Sequence, residues 1–121
     1  MNKLMLRICA LAASDIVDTL RFTEVRFGPS VKRRYCNQLQ AALHAIAEKP
    51  AHVCSSTRDE LSPGLRSLHL SFNKLVMDDG RTISPRHIVF YRTGPDQVVE
   101  ILRVLHDAME ITQHLNHLNQ P

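Results

Sequence analysis

Seven histidines, two tyrosines, three cysteines and a surplus of arginine over lysine are the side chains here able to move protons, hold metals or grip anions. His114 and His117 stand one helical turn apart and could share a metal ion, yet no carboxylate or cysteine lies at supporting spacing, so a zinc site lacks ligands. Cys9, Cys36 and Cys54 are odd in number, widely separated and without a CxxC pair. That pattern gives neither a disulfide framework nor a thiolate metal site, and it suits a reducing cytoplasm. No Ser/His/Asp ordering, phosphate-binding glycine loop or paired-carboxylate motif is present, so no metal and no cofactor is expected. Arg66, Arg92 and Arg103 fall among apolar residues, where an unpaired guanidinium is costly to bury. Two readings stand: a cluster that grips an acidic peptide tail or a nucleic-acid-bound target, or a structural network with Asp59, Glu60 or Glu100. Tyr35 and Tyr91, inside regular elements with apolar neighbours, read as packing residues.

The elements that must position these groups follow from periodicity. Leu4, Leu6 and Ile8 alternate with Met5, Arg7 and Cys9, the spacing of a strand with one buried face. Residues 14–27 shift to helical spacing, with Ile16, Leu20, Thr23 and Phe27 on one face and Ser14, Asp15 and Asp18 gathered at the start, where the helix dipole favours negative charge. Gly28 and Pro29 end that helix and open the next, a tight helical hairpin. The second helix runs to about Lys49, before Pro50, with Val31, Tyr35, Leu39, Ala42, Leu43 and Ile46 facing inward. Residues 51–64 are polar and read as a crossing loop. Strands follow at 65–70, 87–92 and 98–105; the last two carry apolar residues at both parities, as central strands do. Gly94, Pro95 and Asp96 make the turn between them. Asp107 is placed to N-cap a closing helix, with Glu110 as capping-box partner and Ile111, Leu115 and Leu118 as its apolar face.

A chain of 121 residues suits one domain spanning 1–121 with a single modest core. Hydrophobic residues at 44% and charged residues at 22% exclude a disordered chain. The net charge of +3 favours an acidic partner. Near the N-terminus the apolar run from Leu4 is interrupted by Arg7, and Ile8 precedes Cys9 where a lipoprotein site needs a small residue, so export is not expected. No stretch has the apolar length to cross a bilayer. The order of elements is α+β: an N-terminal strand, a helical hairpin, a three-stranded antiparallel meander and a short C-terminal helix, with the helices on one face of the sheet.

In this order the local wording resembles the ParE branch of the RelE/ParE superfamily of type II toxin–antitoxin toxins. The resemblance is carried by Phe27-Gly28-Pro29 with Arg34-Tyr35 and Leu39; by Arg58-Asp59-Glu60-Leu61 with Pro63-Gly64-Leu65-Arg66-Ser67-Leu68; by Arg86-His87-Ile88-Val89-Phe90-Tyr91-Arg92; and by Glu100 through His106, continued by Met109 and His114-Leu115. It implies a cytoplasmic toxin that inhibits DNA gyrase, blocks replication and arrests growth, as in plasmid stabilisation. It also implies a cognate ParD-like antitoxin and a toxin–antitoxin hetero-oligomer. The superfamily's other activity, ribosome-dependent cleavage of mRNA, uses a C-terminal Tyr or His among cations; no Tyr follows His106 here, which favours the gyrase branch and a structural role for His106. The segment 71–86 is longer than the family connection and reads as an extra hairpin arm turning at Asp78-Asp79-Gly80, with Leu75, Val76, Met77 and Ile83 along it, either projecting as a contact surface for a partner or folding back over the helices to enlarge the core. Partner binding is accordingly assigned to Arg66, Arg86, Arg92, Arg103 and His106, with Met77 on the arm.

Overall fold

The computed structural model describes residues 3–73, 75–77 and 79–119. Strand β1 (Met5–Ile8) is followed at once by helix α1 (Ala10–Phe27). The helix starts four residues before the position expected from Ser14, and its first turn contains no acid. Asp15 and Asp18 therefore lie beyond the turn where the dipole would reward them; Asp15 has another task, described below. Gly28 adopts φ 93°, closed to most side chains, and donates its N–H to the Glu24 carbonyl at 2.9 Å, so α1 ends there and α2 (Pro29–Glu48) opens on proline as expected.

The crossing loop contains one strand that periodicity missed, β2 (Ser55–Thr57). It is short, polar and at the sheet edge, where no apolar alternation is required. Strand β3 (Arg66–His69) leads through a 3-10 turn (Leu70–Phe72) to a small separate sheet of β4 (Leu75–Val76) and β5 (Thr82–Ile83). Then come β6 (His87–Thr93), β7 (Val98–His106), α3 (Ile111–Leu115) and a final 3-10 turn (Asn116–Asn119). The main sheet has the order β1-β7-β6-β3-β2, with β1 parallel to β7 and the other neighbours antiparallel.

Both faces of that sheet are covered, which is why β6 and β7 are apolar at both parities. On one face Ala12, Tyr35, Leu39, Ala42 and Ile46 from the helical hairpin meet Leu68, Val89, Tyr91, Val99, Ile101 and Val104. On the other, Leu115 of α3 packs with Leu65, Ile88, Phe90, Leu102 and Leu105. The expectation that all helices share one face is thus corrected: α3 closes the opposite side. A bulge helps, because the register steps from Phe90↔Arg103 to Tyr91↔Ile101. Leu102 is left unopposed, so Ile101 and Val104, three apart, both face the helices.

Asp107 does not cap α3. The N-cap is Glu110, with no side-chain cap bond, since the Asp107 carboxylate is taken by His69 and Arg86. In the 71–86 segment Gly80 turns at φ 84° and Asp79 accepts the Arg81 N–H, while Asp78 and the side chains of Leu75 and Ile83 lie outside the described residues. Arg34 of α2 donates to the Val76 carbonyl at 2.8 Å, and Met77 packs against the helix-side core.

Candidate partner interface

At the end of the sheet farthest from the β6–β7 turn, His87 and His106 face each other across the ladder, with ring centroids 5.2 Å apart and planes at 86°. Tyr35 reaches them because it lies on the inward stripe of α2; its ring meets His87 edge-on at 5.6 Å and its hydroxyl bonds His87 Nδ1. Thr19 of α1 lies 3.4 Å from His87 Nε2. Burial, then the neighbouring His106, lowers the His87 pKa to about 4, and burial raises that of Tyr35. The protonated Tyr35 hydroxyl donates to Nδ1, so His87 is neutral, carries its proton on Nε2 and donates to the Thr19 hydroxyl. One ring thereby ties α1, α2 and β6 together.

Behind it, His69 Nε2 stands 3.0 Å from Asp107, and Arg86 closes a pair with the same carboxylate at 2.7 Å. Arg86 first, and His69 after it, hold the Asp107 carboxyl well below the usual carboxylate range. Between the hairpin and this sheet end opens a cavity of about 250 Å³, walled by Phe22, Phe27, Val31 and Pro85, floored by Tyr35 and His87, and bordered by the exposed Arg86 and the half-buried His106. His106 Nδ1 accepts the Ala108 N–H at 3.0 Å, which leaves its Nε2–H free to donate. The recess suits an apolar group carried next to a hydrogen-bond acceptor or a carboxylate. It is poorly built for proton transfer, since both nitrogens of His87 are bonded and Arg86 already carries a carboxylate.

The other nominated residues do not join it. Arg103 forms a bidentate pair with Asp15 at 2.8 and 2.9 Å, with side chains only 12% and 14% exposed, and donates to the His114 carbonyl at 3.0 Å. Asp15 also accepts the Val104 N–H at 3.0 Å. Since β1 stops at Ile8 while β7 runs on to His106, the carboxylate stands where a continued β1 would have paired. Arg66 lies on the helix-facing side of β3 and donates to Ser55 Oγ at 2.7 Å. Arg92 faces the opposite side, across from Glu100, and among the described residues makes no side-chain hydrogen bond or ion pair. Asp59 instead accepts the Gly64 N–H, Glu60 pairs with Arg58, and Glu100 with Arg7. The structure therefore does not bring Arg66, Arg92 and Arg103 together, and none of the three meets Asp59, Glu60 or Glu100 in an ion pair.

Sequence reasoning read Tyr35 as packing and Asp15 as an acid at a helix start, and gave His87 and His69 no role at the site. Counting outward from the turn at 94–97 would have set His87 opposite Leu105, and only the bulge at Leu102 moves its partner to His106; the contacts to Tyr35, Thr19 and Asp15 cross between layers and leave no local signal. Among the described residues no three His, Cys, Asp or Glu side chains could hold a metal ion, and no helix is long and apolar enough to cross a membrane.

A family model described as ParE toxin of type II toxin-antitoxin system, parDE, matches residues 6–111. The chain is similar to Toxin ParE1 of Caulobacter vibrioides, 33% identical over 109 residues that cover 90% of this chain and 95% of that one. Toxin ParE1 of Mycobacterium tuberculosis is 27% identical over 92 residues, 74% and 76% of the two chains. Among solved structures, a chain of the chromosomal ParDE TA system from P. aeruginosa superposes with TM-score 0.63 at 15% identity, covering 86% of this chain and 96% of that chain, a likeness of fold.

Proposed function

The chain belongs to the ParE toxin family of type II toxin–antitoxin systems, and from that premise we propose that it inhibits DNA gyrase, blocks replication, and is neutralised in the cytoplasm by a cognate ParD-like antitoxin in a hetero-oligomer. The family match across residues 6–111 carries the reading. The state of the histidines and arginines supports it over mRNA cleavage. His87 is bonded at both nitrogens, and Arg86 and Arg103 each carry an aspartate, so at the recess these groups are already committed and not free for the charge stabilisation and proton transfer that phosphodiester cleavage needs.

The antitoxin segment is an acidic, amphipathic one that folds on binding: an apolar side chain enters the recess beside Phe22 and Phe27, neighbouring carboxylates meet Arg86 and His106, and Arg92, at the other end of β6 and on the opposite face, makes a separate contact. Arg66 adds charge on β3, and Met77 with its hairpin extends the contact along α2. Arg103 is kept for structure. Two assays test the proposal. Purified toxin should inhibit gyrase supercoiling and leave a translating extract intact, whereas codon-specific mRNA cleavage with normal supercoiling overturns it. Pull-down of the product of the adjacent reading frame should weaken on charge reversal at Arg86 and Arg92; unchanged affinity removes those two residues from the interface.

A further inference from the structure

The molecule's positive charge is concentrated in one place. Residues 21–34 hold five of the 15 basic side chains and one of the 12 acidic ones, a net of +4; the remaining 10 basic and 11 acidic residues sum to −1. This stretch is the tip of the helical hairpin, the last turns of α1 and the first of α2. Glu24, its one acid, is paired with Lys32 at 3.6 Å, and Arg34 is tied to the Val76 carbonyl. That leaves Arg21, Arg26 and Arg33, all exposed and without an ion pair among the described residues. The tip is open, since a side chain built on Gly28 would meet nothing within 4 Å.

We infer that this outer face of the hairpin tip binds the phosphate backbone of duplex DNA. Three guanidiniums carried on two packed helices surround the tip with forked donors, a chemistry that phosphate oxygens accept. A folded acidic peptide needs an apolar anchor in a recess as well as charge. Phe22 and Phe27 line the cavity, whereas Arg21, Val25, Arg26 and Arg33 are not among its lining residues. The inference stands apart from the recess, and it would let the toxin touch DNA while the recess is occupied.

The test is fluorescence anisotropy of a labelled 20-base-pair duplex titrated with the full chain. Three phosphate contacts give a slope of about −2.7 in log affinity against log salt, so binding should weaken about 40-fold between 50 and 200 mM salt. A variant carrying Arg21→Glu, Arg26→Glu and Arg33→Glu should bind at least about tenfold more weakly and lose most of the salt slope, with circular dichroism unchanged. Equal duplex affinity in that variant overturns the inference, as does preference for single-stranded RNA. Loss of antitoxin affinity with duplex binding unaltered would also overturn it, since the patch would then be a protein interface. Gyrase inhibition measured in parallel separates the two readings: inhibition without duplex binding removes this inference alone, and duplex binding without inhibition removes the gyrase proposal alone.

Discussion

Two aspartate–arginine pairs, chemically alike, sit in opposite surroundings. Asp15–Arg103 is nearly out of solvent at the junction of α1, β7 and α3; Asp107–Arg86 lies at the mouth of the cavity with the guanidinium 60% exposed. The first satisfies a strand N–H and a helix carbonyl besides its own charges, so three elements depend on it. The second joins a loop to the strand end and leaves its cation reachable. The same pairing thus acts as a joint where water is excluded and as a poised contact where water is present.

The sharpest way to break that contrast is Asp15→Ala, which strands Arg103 and orphans the Val104 N–H. A loss of about 3 kcal/mol is expected in urea melts; a loss under about 1 kcal/mol would mean the two pairs are equivalent. Acid comes next, and it acts on the cavity end. His87 has a folded pKa of about 4, below its ordinary 6.5, so the folded state binds fewer protons. Its stabilisation is complete above pH 6.5 and drains away as pH falls through 4, by about 2 kcal/mol after allowance for partial exposure. Asp107, also depressed, adds to the loss in the same direction at lower pH. Thermal melts between pH 7 and pH 4 read the effect, and a flat profile refutes the neutral ring.

Smaller again is Tyr35→Phe, which removes the donor to His87 Nδ1. About 1 kcal/mol of stability should go, and the His87 ring should titrate closer to 6.5 by proton NMR; an unmoved titration would show that burial alone sets it. Smallest is Arg86→Ala, expected to leave stability nearly unchanged while weakening antitoxin binding. A stability loss as large as that of Asp15→Ala would erase the distinction between joint and contact.

Much of the architecture was legible because its signals are local. Gly28-Pro29 marks the hairpin turn, and the two parities of β6 and β7 announce a sheet covered on both sides. The side chosen by α3 was not legible, since Ile111 and Leu115 tell that the helix is amphipathic without telling which face of the sheet receives it. Strand β2 was hidden by its polarity. At the site, His106 was in view but its partners were not. Asp15 and Arg103 are 88 residues apart, Tyr35 and His87 52 apart, and only the folded chain brings them together. Asp107 was misassigned for a physical reason, because a cap and side-chain partners compete for one carboxylate, and Arg86 with His69 outbids a single N–H.

The unequal lengths of β1 and β7 carry one more consequence. Beyond Ile101 the outer edge of β7 has no neighbouring strand, and a bare edge of this kind templates aggregation by accepting any extended segment of another molecule. Asp15 occupies the Val104 N–H and brings a carboxylate and the body of α1 into that gap. An incoming chain would have to displace both, at a point where its own carbonyl would meet negative charge. The residue that secures the interior joint is therefore also a gatekeeper of colloidal behaviour, keeping an uncovered edge from growing into a larger sheet.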